Sequence, residues 1–312
     1  MFIYLDQNVL GDLYDKEYHL VKNGGNEWVY SPEHLNEIHR GGRTEILDVL
    51  RGLNARLIFC PTSDAGLIND NLKVSVYEEP HTVYTRYLEH RNSSLIDTSI
   101  FNPILAAFFG NQEDDTLSSY ADDLSRLATD LIHRYPQLKS LSSIDYEKGL
   151  YDAGTKTQAG LSNVISLDQR RKIFHLDKGR GSSYIRSENP ILDLWKHMNE
   201  AVEPTISIDQ FFGFDPIDKN LFGYDEWPLF LGVCTCYFAL NMIGYRPDEG
   251  LPKVSRVPAN SSDAMHVAYG AFCSGFITRD KKMCDKAKAI YTYKNIKCEA
   301  VHVNDYLSSF GL

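Results

Sequence analysis

The chain has 312 residues, 43% of them hydrophobic and 24% charged, an ordinary globular mixture that excludes disordered, collagen-like and coiled-coil classes. At about 150 residues per domain this is one large domain or two, with ample length to bury a core. The net charge of −10 excludes a protein that coats nucleic acid non-specifically, but not an enzyme that meets nucleic acid in a local cleft.

In chain order, residues 2–6 (FIYLD) are an apolar run ending in an acid, which predicts a buried strand with Asp6 at its C-terminal tip. Residues 8–16 read as a helix or turn. A second strand at 28–30 runs into Ser31-Pro32-Glu33, a helix start with Ser31 as cap, Pro32 in the first position and Glu33 at the positive end. Ile46, Leu47, Val49, Leu50 and Leu53 give the 44–53 stretch one apolar helical face, and 56–61 (RLIFCP) reads as a third strand. At the far end, 261–273 predicts an apolar helix, 276–278 a strand ending at Asp280, 281–291 a charged helix and 298–303 a last strand. Strands alternating with helices imply a parallel sheet with crossover helices.

The middle has a different pattern. Leu117, Tyr120, Leu124, Leu127, Ala128 and Leu131 recur at helical spacing, and 190–201 is a further helix candidate. Residues 147–188 and 203–226, rich in Gly, Ser, Asp and Pro, predict long loops. Residues 227–245 hold 19 positions without a charge, within the range of a membrane span. Pro228, Thr235, Asn241 and two glycines argue instead for a buried helix. The six cysteines form no C-x-x-C pair or zinc-like spacing, and the N-terminus has no basic leader or cleavage site. Reduced thiols in a cytoplasmic protein are the expectation.

Charge separates these parts. Residues 1–70 hold 6 Lys/Arg against 11 Asp/Glu, residues 251–312 hold 9 against 5, and the middle holds 17 against 26. The expectation is an α/β unit split between 1–70 and 251–312, interrupted by a largely helical, acidic insertion over 71–250.

Asp6 and Asp280 each follow an apolar strand, where open α/β sheets bind their ligands. Asp263 falls in the first turn expected for the helix leading to the Asp280 strand, and Glu37 lies one turn beyond Glu33. Converging carboxylates repel one another unless a cation neutralises them. Hard divalent ions take such oxygen ligands, and the chemistry implied is attack of metal-activated water on a phosphodiester. Each acid also has an ordinary use. Asp280 can cap the helix after it, Asp263 can complement a helix dipole, and Glu37 has Arg40 at i+3. His266, on an apolar helix face, reads as a core histidine.

The ordered set resembles the PIN-domain nucleases. It comprises the opening strand with Asp6, Asn8 and Val9-Leu10; Ser31 to Glu37 after the second strand; Asp263, His266 and Ala268 in a D-x-x-H-x-A helix; and Thr278-Arg279-Asp280 after a strand. The likeness covers roughly residues 1–60 and 255–312. It implies a three-layer α/β/α fold around a parallel sheet, with Asp6, Glu37, Asp263 and Asp280 holding one or two Mg²⁺ or Mn²⁺ ions. Asn8 and Thr278 would be polar neighbours of metal or phosphate. Family members mostly cleave RNA and a subset cuts structured DNA; a toxin or defence nuclease with a protein inhibitor, or a homo-oligomer, fits the same resemblance.

Arg170, Arg171 and Lys172 open a basic 170–186 stretch containing His175 and Tyr184, suited to phosphate contacts with a stacking ring or to an ordinary solvated loop. Arg40, Arg43, Lys281 and Lys282 lie near the expected cleft in sequence. Two other readings compete. A haloacid-dehalogenase-like phosphatase also opens with an acid after its first strand, but its chemistry wants a second Asp where this chain has Asn8. An inactive PIN-like scaffold would use the insertion to bind a protein partner.

Overall fold

A computed structural model of the protein describes residues 1–17, 25–63, 67–93, 98–111, 117–134, 146–161, 166–173, 187–198 and 205–309. Six short strands form one sheet: β1 (Phe2–Leu5), β2 (Glu27–Tyr30), β3 (Arg56–Phe59), β4 (Lys73–Val74), β5 (Gly275–Thr278) and β6 (Glu299–His302). Their order is β4-β3-β2-β1-β5-β6. All neighbours run parallel except β4, a two-residue edge strand antiparallel to β3 that the sequence pattern did not signal. The protein is thus α/β, with a mostly parallel sheet drawn from both ends of the chain.

Alternation along the strands sorts two cores. Ile3 and Leu5 face one way with Trp28, Tyr30 and Ile277; Tyr4 faces the other with Val29, Ile58 and Phe276. The first face is covered by α1 (Gln7–Tyr14), α2 (Pro32–Gly41) and α3 (Ile46–Gly52). Between β3 and β5 the described chain forms α4 (Pro80–Ser93), α5 (Asn102–Phe108), α6 (Tyr120–Arg134), α7 (Tyr146–Leu161), α8 (Leu167–Ile173), α9 (Pro190–Met198), α10 (Ile208–Phe211) and α11 (Leu229–Ile243). Then come α12 (Val257–Gly270), α13 (Lys281–Tyr293) and α14 (Val303–Ser309). Helices α9, α11, α12 and α13 cover the second face. Both faces are covered because crossovers are right-handed. Stepping from β1 to β2 and β3 puts the connecting helices on one side, and stepping from β5 to β6 in the opposite direction puts α13 on the other.

The uncharged 227–245 stretch is α11. Phe230, Val233, Cys236, Tyr237, Leu240 and Ile243 are each at most 2% exposed, packed in the same core as α12 and α13, and Phe230, Val233, Leu240 and Ile243 each contribute about 1.5–3 kcal/mol by burial. Among the described residues no helix is long and apolar enough to cross a membrane. All six cysteines are free thiols.

Two expectations need correction. Helix α12 begins at Val257, not near Ser261, because Pro258 suits its first turn and Val257 is fully buried there. Asp263 therefore lies inside the helix, and a role in complementing its dipole lapses. Residues 146–161 and 167–173, expected within a long loop, are helical. Glycine there serves packing: a Cβ at Gly154 would lie 2.6 Å from the Ala121 Cα of α6.

Candidate active site at the β1/β5 junction

Strand order reverses between β1 and β5, and the carboxyl ends of such a pair leave a crevice. Asp6 follows β1 directly, and its backbone N–H donates to Ile277 of β5 at 2.9 Å. Its side chain is buried, with Oδ2 accepting from Thr278 Oγ1 at 3.0 Å and from Asn8 Nδ2 at 3.3 Å. Among the described residues Oδ1 has no hydrogen-bond partner. Thr278 Oγ1 in turn accepts from the Asp280 N–H at 3.0 Å, so its one proton goes to Asp6. Burial pushes the Asp6 carboxyl above its usual range and Glu37 adds to this, against the opposing pull of His266 and Thr278.

Asp280 caps α13, with Oδ1 accepting from the N–H groups of Lys282 at 2.7 Å and Met283 at 3.0 Å. The capping use is real, yet it leaves Oδ2 without a hydrogen bond among the described residues. Asp263 is half-buried on α12, one turn before His266, and takes no hydrogen bond from any described residue. Burial raises its carboxyl well above the usual value, and the nearby carboxylates of Asp248 and Asp6 raise it further.

Glu37 is held differently. Its Oε2 lies 3.1 Å from His266 Nε2 and its Oε1 takes Arg40 Nη2 at 3.1 Å. Arg40 also reaches Ser262 Oγ at 3.1 Å and the Pro258 carbonyl at 3.2 Å, which ties α2 to α12. Burial by itself would raise the Glu37 carboxyl, but the positive charge of His266 outweighs it and the net shift is downward. Burial likewise works against a charged His266, but Glu37 overrides it, and the imidazole is held at about 9. His266 is therefore protonated at neutral pH. Its Nε2 donates to Glu37 and its Nδ1 to the Tyr4 hydroxyl at 2.7 Å. That hydroxyl lies 2.7 Å from Ser31 Oγ. His34 stays neutral, since burial, reinforced by His266, lowers it to about 3. Its Nδ1 accepts from the Ser31 N–H at 3.0 Å and its Nε2 donates to the Leu5 carbonyl at 2.7 Å. His266 is the satisfied core histidine its sequence position suggests, and it is also the counter-ion of Glu37.

Sequence reasoning missed a second buried cation. Lys286 on α13 is fully buried, 2.5 Å from Asp248 Oδ1 and 2.8 Å from Asn241 Oδ1, with its ammonium 3.7 Å above the Tyr237 ring. Asp248 also takes the Tyr237 hydroxyl at 3.1 Å and Asn241 Nδ2 at 2.7 Å. Burial lowers the Lys286 ammonium, while Asp248, Asp263 and Asp280 favour its charge. The signal was available, because Lys286 stands where the Met283, Ala287 and Ile290 face turns inward.

Beside Asn8 and Glu37 opens a groove of 340 Å³ whose walls include Asp12, Arg40, Arg43 and Arg279. Arg43 pairs with Asp15 and Glu45, and Arg279 with Asp12. Lys281 and Lys282 project to solvent at the start of α13. The structure thus gathers Asp6, Asn8, Glu37, Asp263, Thr278 and Asp280. Positions 170–172 lie on α8, whose main contact is with α11; Lys172 is exposed, and 174–186 lie outside the described residues.

Among the described residues no three His, Cys, Asp or Glu side chains close to the spacing of a metal-ligand set. These acids nevertheless keep oxygens of the type that hard cations take. Asp6 Oδ1, Asp280 Oδ2 and the Asp263 carboxylate are unshared oxygens, and the crowding of Asp263 by Asp6 is what a cation would relieve. Comparison of the chain with family models, curated proteins and solved structures returns no match.

Proposed function

We infer that the protein is a metal-dependent phosphodiesterase of PIN type, acting as an endoribonuclease on RNA with Mg²⁺ or Mn²⁺. The observation that carries this reading is Asp6, buried where strand order reverses, with one oxygen fixed by Thr278 and Asn8 and the other unshared. Asp263 and Asp280 supply further unshared oxygens beside it. The mostly parallel sheet, with strands drawn from both ends of the chain, supports the same reading.

In this scheme Asp6, Asp263 and Asp280 would hold the cation, which when bound supplies a polarised water and charge stabilisation at the phosphate. Thr278 and Asn8 orient Asp6. Arg40, Arg43 and Arg279 line the groove through which a strand would pass, and rim arginines hold phosphates in register without reading sequence. A second reading, a PIN-like scaffold without catalysis, draws on the absence of a closed metal-ligand set among the described residues.

The deciding experiment incubates the purified chain with labelled single-stranded RNA, structured RNA and DNA, in Mn²⁺, Mg²⁺ or EDTA, beside Asp6→Asn. Metal-dependent cutting that disappears in the variant supports the nuclease. A folded chain that cuts none of them and takes up no metal leaves the scaffold.

A further inference from the structure

The two ends of the sheet are finished differently. At one end β4 is a two-residue strand antiparallel to β3, and so short an edge offers little to pair with. At the other end β6 pairs with β5, and among the described residues no strand pairs with its outer side. The Glu299 N–H donates to the Ser274 carbonyl at 3.1 Å. Backbone groups alternate sides along a parallel strand, so Val301 also turns toward β5 while Ala300 and His302 turn their N–H groups outward. No backbone group of the described residues accepts from the Ala300 N–H. We propose that this edge is an interface between two copies of the chain, in which β6 pairs antiparallel with β6 of a second copy about a two-fold axis at Val301. The contact requires nothing of the nuclease reading.

Beside the edge runs a groove of 560 Å³, lined by Lys288, Thr292 and Asn295 of α13, by β6 itself and by Asp305 of α14. Its charge points to the occupant. Two exposed cations, Lys288 and Lys297, stand with two exposed anions, Glu299 and Asp305. The chain carries a net charge of −10, so two copies repel over most of their surface and meet closely only where a patch is locally balanced. A polyanion or a strongly charged peptide finds no excess of sign to bind here. The register follows from the alternation. Outward groups must meet outward groups, which puts the axis on a residue and not between two. An axis at Val301 sets Ala300 of each copy against His302 of the other, and brings the two Val301 side chains together as a close pair. It also directs Lys297 of each copy toward Asp305 of the other, whereas an axis at Ala300 would oppose Lys297 to Val303. The edge is ordered before a partner arrives: His302 Nε2 donates to the Arg279 carbonyl at 2.8 Å, and its Nδ1 accepts from the Asn304 N–H at 3.3 Å. Pairing with an ordered edge costs less entropy.

The test measures the molar mass of the full-length chain by sedimentation equilibrium from about 1 to 100 µM, with thiols kept reduced and circular dichroism to confirm folding. The wild type is expected to form a dimer. Ala300→Pro removes an outward N–H and leaves the ladder to β5 intact, as proline does on an edge strand. It should weaken the dimer by at least about tenfold, because the two-fold axis repeats each lost bond. Lys297→Glu should weaken it by at least about threefold at low salt, and Lys297→Glu/Asp305→Lys, which exchanges the two charges, should restore it. If Ala300→Pro fails to fold, the charge exchange decides: restoration in the double variant supports the register, and its absence overturns it. A wild type that stays monomeric across the range overturns the proposal and leaves the edge to solvent or to a different chain. A dimer that neither Ala300→Pro nor Lys297→Glu weakens also overturns it, because the copies then meet through another face.

Discussion

Lys286 Nζ lies 2.5 Å from Asp248 Oδ1, and neither side chain is more than 5% exposed. The pair joins α13 to the turn after α11, and Asn241 and the Tyr237 ring complete the surroundings of the ammonium. Such a pair adds little over a well-packed apolar substitute, but removing one partner strands the other charge. Lys286→Met is therefore expected to lower stability by about 3–5 kcal/mol, and Lys286→Met/Asp248→Asn to recover a large part of that loss. Urea unfolding of the three proteins measures it; a single variant as stable as wild type would show that the pair is not charged and buried as described.

Thr278 relays between the two strand tips, giving its proton to Asp6 and accepting the Asp280 N–H. Thr278→Val keeps the shape but leaves the Asp280 N–H without its acceptor and Asp6 Oδ2 with Asn8 alone, at a cost of about 1–3 kcal/mol. Any nuclease activity should fall by at least about tenfold, as for loss of a partner that orients a ligand. Thr278→Ser restores both bonds and should restore both quantities. A valine variant that unfolds and cleaves like wild type would remove Thr278 from the site.

How far the sequence reveals this arrangement depends on the range of the interaction. Strands β1, β2, β3, β5 and β6 were legible because each is a short apolar run bounded by turn residues, and Asp6 and Asp280 because they punctuate such runs. Ser31 and Pro32 marked the start of α2 for the same local reason. The local partners, Arg40 for Glu37 and the helix start for Asp280, were legible; the distant ones were not. Glu37 and His266 are 229 residues apart, and Tyr4 and His266 are 262 apart; only the closed sheet brings them together. Lys286 gave a local hint, a charge on an inward face, but Asp248, its reason for being there, lies on another element. Glycines misled in the middle of the chain, where Gly154 marks a close helix contact and not a loop.

His266 makes stability depend on pH in a defined direction. Its folded value of about 9 lies above the usual 6.5, so its contribution is full below pH 6.5 and is lost as pH rises through 9. The shift corresponds to a contribution on the order of 3 kcal/mol. The difference in unfolding free energy between wild type and His266→Gln, measured in EDTA, should therefore be large at pH 6 and shrink steadily toward pH 9.5. A difference that stays constant over that range would mean His266 is neutral beside Glu37.

Helices α6 and α7 supply two substitutions of opposite sign. A Cβ at Gly154 would fall 2.6 Å from the Ala121 Cα and 3.1 Å from its Cβ, whereas at Gly149, on the same helix, it would meet nothing within 4 Å. Alanine is a better helix former than glycine by about 1 kcal/mol, and at Gly149 that gain stands unopposed. At Gly154 the obstacle is backbone, which cannot swing aside as a side chain does, and forced separation of packed elements costs about 1–3 kcal/mol. Gly149→Ala should thus raise the urea midpoint slightly and Gly154→Ala should lower it. Equal effects at the two positions would mean that α7 does not pack on α6 through Gly154.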